Sequence, residues 1–79
     1  MLEFQVFGAV YRDLEASISD VKGQACGLAR YTPVRAIRCR SIEEVPDVYL
    51  DFYGYEFNRL CRHAYLYVLT ENGNLRITD

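Results

Sequence analysis

Cys26, Cys39, Cys61 and His63 together have the side chains of a zinc set, and Cys61 with His63 those of a nucleophilic pair. Spacing argues against both. The three cysteines lie far apart with no Cys-x-x-Cys among them, and their odd number does not make a disulfide framework. On a helix, residues two apart point about 200° away from each other, so Cys61 and His63 do not converge on one reacting atom. The cysteines read as small core residues of a reducing compartment and His63 as a surface residue near a helix C-terminus. No metal or cofactor is expected.

Carboxylates are the next candidates. Glu43, Glu44, Asp47, Asp51 and Glu56 form an acidic run. Paired acids catalyse only inside a cleft, which a chain of 79 residues hardly has the material to build. The run reads instead as the cap and solvated side of a helix. As a functional surface it would imitate phosphates toward a basic groove in a partner. The glycines, Gly8, Gly23, Gly27, Gly54 and Gly73, fit no phosphate-cradling spacing. No enzyme is expected.

The third constellation is aromatic and basic, and it depends on strands. Leu2 to Tyr11, Val34 to Arg40, Ala64 to Thr70 and Leu75 to Thr78 alternate in the strand period. One face collects Leu2, Phe4, Val6, Val10, Ile37, Cys39, Leu66, Val68, Leu75 and Ile77, a core. The other collects Phe7, Tyr11, Arg38, Arg40, Tyr65, Tyr67 and Arg76. Tyrosine and arginine are the residues enriched at the energetic centres of interfaces. Eight of the nine basic residues are arginine, the side chain of planar and stacked contacts, although a GC-rich genome gives the same bias. With the sheet face open, Tyr65, Tyr67, Arg38 and Arg40 are expected on adjacent strands as a binding hot spot.

Helices must flank these strands. Asp13 is a plausible N-cap, and Leu14, Ile18, Val21, Ala25 and Leu28 then form one apolar stripe, with Gly23 and Gly27 sharing a face. Thr32-Pro33 ends that segment. Ser41-Ile-Glu-Glu44 has the form of a capping box. A short turn over 42–45 and a main helix from Asp47 to His63 follow, with Leu50, Tyr53, Phe57, Leu60, Cys61 and Ala64 inward. A strand through Val48 to Phe52 is the competing assignment. Asn72-Gly73 between two alternating runs signals a hairpin. The order βαβαββ predicts an α/β (α+β) two-layer sandwich over residues 1–79. It would be a single domain, a four-stranded mixed sheet with two helices on one face and parallel pairing across the crossovers.

A hydrophobic fraction of 51% and a charged fraction of 25% are those of a globular chain, and a net charge of −2 draws it to no nucleic acid. The amino terminus has no basic segment followed by an apolar run, and no apolar stretch reaches a membrane span, so a cytoplasmic setting without membrane is expected. The element order differs from that of an RNA-recognition domain. In size, acidity, tyrosine content and architecture the whole chain resembles phage-encoded inhibitors, among them the anti-CRISPR proteins. No motif carries the likeness, so it transfers no residue. It implies a protein that occupies the nucleic-acid-binding surface of a larger effector complex, such as a CRISPR complex, or blocks its nuclease, in the host cytoplasm. The arginine cluster departs from a pure DNA mimic. A second copy of the chain, direct nucleic-acid binding through the sheet face, and a Cys/His metal-dependent factor are the competing readings.

Overall fold

Alternating apolar runs become four strands: β1 Leu2–Ala9, β2 Arg35–Cys39, β3 Tyr65–Thr70 and β4 Gly73–Arg76. The computed structural model describes residues 1–10, 31–71 and 73–78. The helix expected after Asp13, with Gly23, Gly27 and Cys26, lies outside the described residues, as do Tyr11 and Asn72. The strands form one sheet in the order β2-β1-β3-β4. Every neighbouring pair is antiparallel, with Phe4 opposite Ile37, Phe7 opposite Tyr67 and Val68 opposite Leu75.

The α+β class holds, but the sheet is antiparallel rather than mixed. The parallel rule applies to strands joined by a crossover in one sheet, and it holds in direction for β2 and β3, since both run against β1. They straddle β1 instead of pairing. The first connection returns antiparallel because Gly8 ties down its end. The Gly8 carbonyl accepts from the amides of Tyr31 (2.7 Å) and Thr32 (3.2 Å), and its own N–H donates to Thr32 Oγ1 at 2.6 Å. Those bonds turn the chain back beside β1.

A 3₁₀ turn, Ile42–Glu44, leads into α1, Val45–Phe52, and α2, Gly54–His63. Pro46 stands in the first turn of α1, where its missing N–H costs no helical bond. Ser41 makes no side-chain cap bond; the Glu44 carboxylate accepts from the amide of Arg40 at 3.4 Å, one residue earlier than a capping box requires. The expected single helix is broken at Tyr53 (φ −134°, ψ 48°), just before Gly54. The break changes which side faces inward. Val45, Tyr49, Leu60 and Ala64 are buried against Val6, Ile37, Cys39, Leu66 and Val68. Leu50 and Cys61, expected inside, are exposed, and so are Leu2, Val10 and Leu75 at strand ends and on the β4 edge.

The opposite sheet face is also closed at its centre. Phe7, Ala9 and Tyr67 have no exposed surface and form a second cluster, joined by Val34, Tyr65 and Leu69. In the β3–β4 hairpin Thr70 already pairs with Gly73, so Gly73 opens β4 instead of closing the turn. Its φ of 129° is one that L side chains rarely adopt.

Gly8 carries a direct consequence. A Cβ there would stand 2.0 Å from Leu60 Cδ1 and 3.2 Å from Thr32 Cγ2. Leu60 is wholly buried, so it has little room to yield. Gly8→Ala is expected to cost about 1–3 kcal/mol through overpacking. Thermal unfolding measures it; an unchanged midpoint would mean that α2 can lift away from β1 freely.

Candidate protein-binding surface

The sheet-face residues separate into three places. Phe7 and Tyr67 are interior, their rings stacked at 5.7 Å, and present nothing to a partner. Tyr65 is half-buried with the Arg76 guanidinium 5.3 Å from its ring. Arg38 and Arg40 are exposed, one on β2 and one just after it. Because β1 lies between β2 and β3, and Arg38 stands opposite Glu3 while Tyr67 and Tyr65 stand opposite Phe7 and Ala9, Arg38 is more than about 15 Å from either β3 tyrosine. The expected hot spot of Tyr65, Tyr67, Arg38 and Arg40 on adjacent strands is therefore dispersed. Alternation assigned these residues to one face correctly, but it carries no information on strand order or on burial of that face.

The acidic run divides as well. Glu43, Asp47 and Asp51 are exposed at spacings of four and share one side of the turn and α1. Glu44 is half-buried with its carboxylate on the Arg40 amide. Glu56 does not belong to the solvated face. Its carboxylate accepts two bonds from Arg35, Nη2 to Oε1 at 2.9 Å and Nε to Oε2 at 3.3 Å, and a third from the hydroxyl of buried Tyr49. The Arg35 guanidinium also lies 4.4 Å from the Tyr53 ring centre. Thr32, bonded to the Gly8 amide, is hydrogen-bonded to Tyr49 in turn. A chain of polar contacts thus runs from β1 through the core to the α1–α2 break.

That chain sets the ionisation of its members. Burial by itself would raise the Glu56 carboxyl, but the bonds from Arg35 and Tyr49 and the charges of Arg35 and Arg59 outweigh it and hold it below its ordinary value. Burial, then the bond to Glu56, pushes the Tyr49 phenol far up. Cys39 is buried, its thiol donates to the Ser41 carbonyl at 3.1 Å, and burial followed by the Glu44 charge raises it away from reactivity. Cys61 and His63 are both exposed and, with Val10, Arg62 and Tyr65, line a shallow polar depression. Among the described residues no three His, Cys, Asp or Glu side chains come together as a metal site.

What the described surface offers instead lies at the α1–α2 break. Phe52 and Tyr55 are 75% and 79% exposed, on either side of Tyr53-Gly54. Phe52 also borders an apolar groove of about 490 Å³ between α1 and the outer edge of β2, lined by Met1, Ile37, Arg38, Val48 and Asp51 among others. Beyond it, Tyr55, Arg59 and His63 repeat every four residues along α2. The Arg59 guanidinium is 5.9 Å from the Tyr55 ring and 5.3 Å from that of Tyr31, which lies beside His63. Sequence reasoning passed over Phe52, Tyr55 and Arg59. The four-residue spacing of Tyr55, Arg59 and His63, to one side of Leu60, was the signal for that stripe.

No protein-family model, curated protein or solved structure matches the chain. Among the described residues no helix is long and apolar enough to cross a membrane.

Proposed function

We propose that this chain is a non-enzymatic protein-binding module that engages its partner through the α1–α2 break. The observation that carries this reading is the pair of large aromatic side chains, Phe52 and Tyr55, held three-quarters in solvent beside an apolar groove. A rigid aromatic that buries its ring on binding supplies much of an interface's energy at little entropic cost. Folding gains little from leaving them exposed, and the bend at Tyr53 fixes both side chains at one corner of the molecule.

The finer reading is an inhibitor of a larger nucleic-acid-processing complex, of the anti-CRISPR kind. The exposed row Glu43, Asp47 and Asp51 supports it, because regularly spaced carboxylates beside an aromatic anchor suit a basic groove that ordinarily holds phosphates. A net charge of −2 is compatible with that role.

Phe52→Ala and Tyr55→Ala are each expected to cost about 1–4 kcal/mol of partner binding while changing folding stability by no more than about 0.5 kcal/mol. The measurement is capture of the partner complex from the native host, followed by that complex's nucleic-acid binding with and without the captured protein. Full capture by both stable variants would overturn the reading. A gel shift by the protein alone that fades steeply with salt would replace it with direct nucleic-acid binding.

A further inference from the structure

β2 is an edge strand, and its free side can be assigned residue by residue. Gly8 directs both backbone groups toward Tyr31 and Thr32, the residues leading into β2. Backbone groups alternate in direction along a strand, so Val6, Phe4 and Leu2 also address β2, while Gln5, Phe7 and Ala9 address β3. Their register partners Arg35, Ile37 and Cys39 consequently face β1. Ala36 and Arg38 aim one N–H and one C=O each away from the sheet, and among the described residues nothing bonds to them. The Arg40 amide, in the same phase, is taken by the Glu44 carboxylate and closes that end of the edge.

The two sides of this edge differ in chemistry. On the side covered by helices the groove continues the sheet outward beneath α1, past Ile37, Val48 and Phe52, with Asp51 and the edge residues Ala36 and Arg38 also in its lining. On the other side Arg38 and Arg40 are exposed, and neither has an ion-pair partner among the described residues. Glu3 stands opposite Arg38 in register without forming a salt bridge to it. A strand laid along β2 would therefore send alternate side chains into an apolar groove and alternate side chains beside Arg38 and Arg40, which form no ion pair among the described residues.

We infer that the β2 edge is a strand-addition site for an extended segment of a partner protein in which acidic and apolar residues alternate. The inference rests on the protein-binding reading and names the form of the segment recognised. Main-chain bonds to Ala36 and Arg38 hold the strand, the groove takes its apolar side chains, and Arg38 and Arg40 select its carboxylates. A second copy of β2 is disfavoured by the same residues. It would set Arg38 and Arg40 beside their own counterparts on one face, and like charges there repel.

The test uses the full chain and a labelled synthetic peptide of eight residues alternating Glu and Val, followed by fluorescence anisotropy. Binding is expected, with at least a tenfold loss when Lys replaces Glu. Residues of one side-chain set share one backbone edge, so N-methylation of either the Val amides or the Glu amides should abolish binding while methylation of the other set is tolerated. Arg38→Glu with Arg40→Glu should transfer the preference to the lysine peptide. Equal binding of both methylated peptides, or of the Glu and Lys peptides, would overturn strand addition. A concentration-dependent dimer by sedimentation that Ala36→Pro dissociates would overturn it in favour of self-pairing. An unbound peptide alongside partner capture that still depends on Phe52 and Tyr55 would refute strand addition alone. Capture indifferent to Phe52 and Tyr55, with the one-sided methylation pattern intact, would refute the helix-break reading and leave the edge site supported.

Discussion

Replacing Tyr67 or Phe7 by alanine is expected to destabilise the fold by about 3–5 kcal/mol, whereas Arg38→Ala and Arg40→Ala should each change it by no more than about 0.5 kcal/mol. Phe7 and Tyr67 are register partners at the centre of the sheet, with rings at 5.7 Å and 22° and no exposed surface. Truncating either removes an aromatic ring that buries about 150–250 Å² and leaves a void that its backbone-bonded neighbours cannot close. A domain of this size has a total stability of only some 4–12 kcal/mol at the usual contribution per residue. One such change is therefore enough to unfold an appreciable fraction of the molecules. Urea denaturation of the four variants measures the contrast. Phe7 and Tyr67 variants as stable as the arginine variants would show that the second sheet face is ordinary surface and restore it as a binding candidate.

That contrast also marks how far sequence alone reached. Alternation placed Phe4, Val6, Ile37, Cys39, Leu66 and Val68 together, and the helices do cover them. It also placed Phe7 with Tyr67, but a two-fold period states only that two faces exist. Burial of both was legible in another way. Val6-Phe7-Gly8-Ala9 and Leu66-Tyr67-Val68 are unbroken apolar runs, the pattern of strands enclosed on both sides. Strand order had no such signal, because it depends on the backbone bonds of Gly8 to residues more than twenty positions away.

The helical half shows a different limit. Charge order gave the direction of the helical segment and its end at His63, but the single helix expected from Asp47 is two, and of its expected inward side Tyr53, Phe57, Leu60 and Ala64 meet the core while Leu50 and Cys61 do not. A periodic count assumes an unbroken helix, and the break at Tyr53-Gly54 resets the phase. Tyr49 is the core residue the count missed, and its burial depends on an acceptor for its hydroxyl. That acceptor, Glu56, reads as a solvated acid because its partner Arg35 is distant in sequence. Phe52 and Tyr55 lie outside the expected inward stripe even on an unbroken helix, so their exposure was legible, whereas the groove beside Phe52 was not, because it depends on how α1 sits over the β2 edge.

Glu56→Ala is expected to cost about 2–4 kcal/mol, more than any exposed ion pair contributes. An exposed pair is worth at most about 1 kcal/mol, while stripping one partner from a buried pair costs about 3–5 kcal/mol. Arg35 and Glu56 lie between these limits, with side chains 33% and 23% exposed. Loss of the carboxylate also strands the hydroxyl of fully buried Tyr49, which adds a desolvation penalty of about 1–3 kcal/mol less whatever Thr32 still offers it. Tyr49→Phe should be much milder, because Glu56 keeps both bonds from Arg35. The same contacts fix the sign of a pH dependence. Arg35 and Tyr49 hold the folded carboxyl below its ordinary value, so the folded chain binds that proton less tightly than the unfolded chain does. The stabilisation is complete above the unfolded value near about pH 4.3 and is lost as pH falls through the lower folded value. Urea midpoints at about pH 6 and about pH 3 should therefore differ more for the wild-type chain than for Glu56→Gln, which has no carboxylate to protonate. Parallel pH profiles for the two, together with a Glu56→Ala cost below about 1 kcal/mol, would show that Arg35 and Tyr49 are satisfied by solvent and that the polar chain from Gly8 to the helix break does not hold α1 and α2 in place.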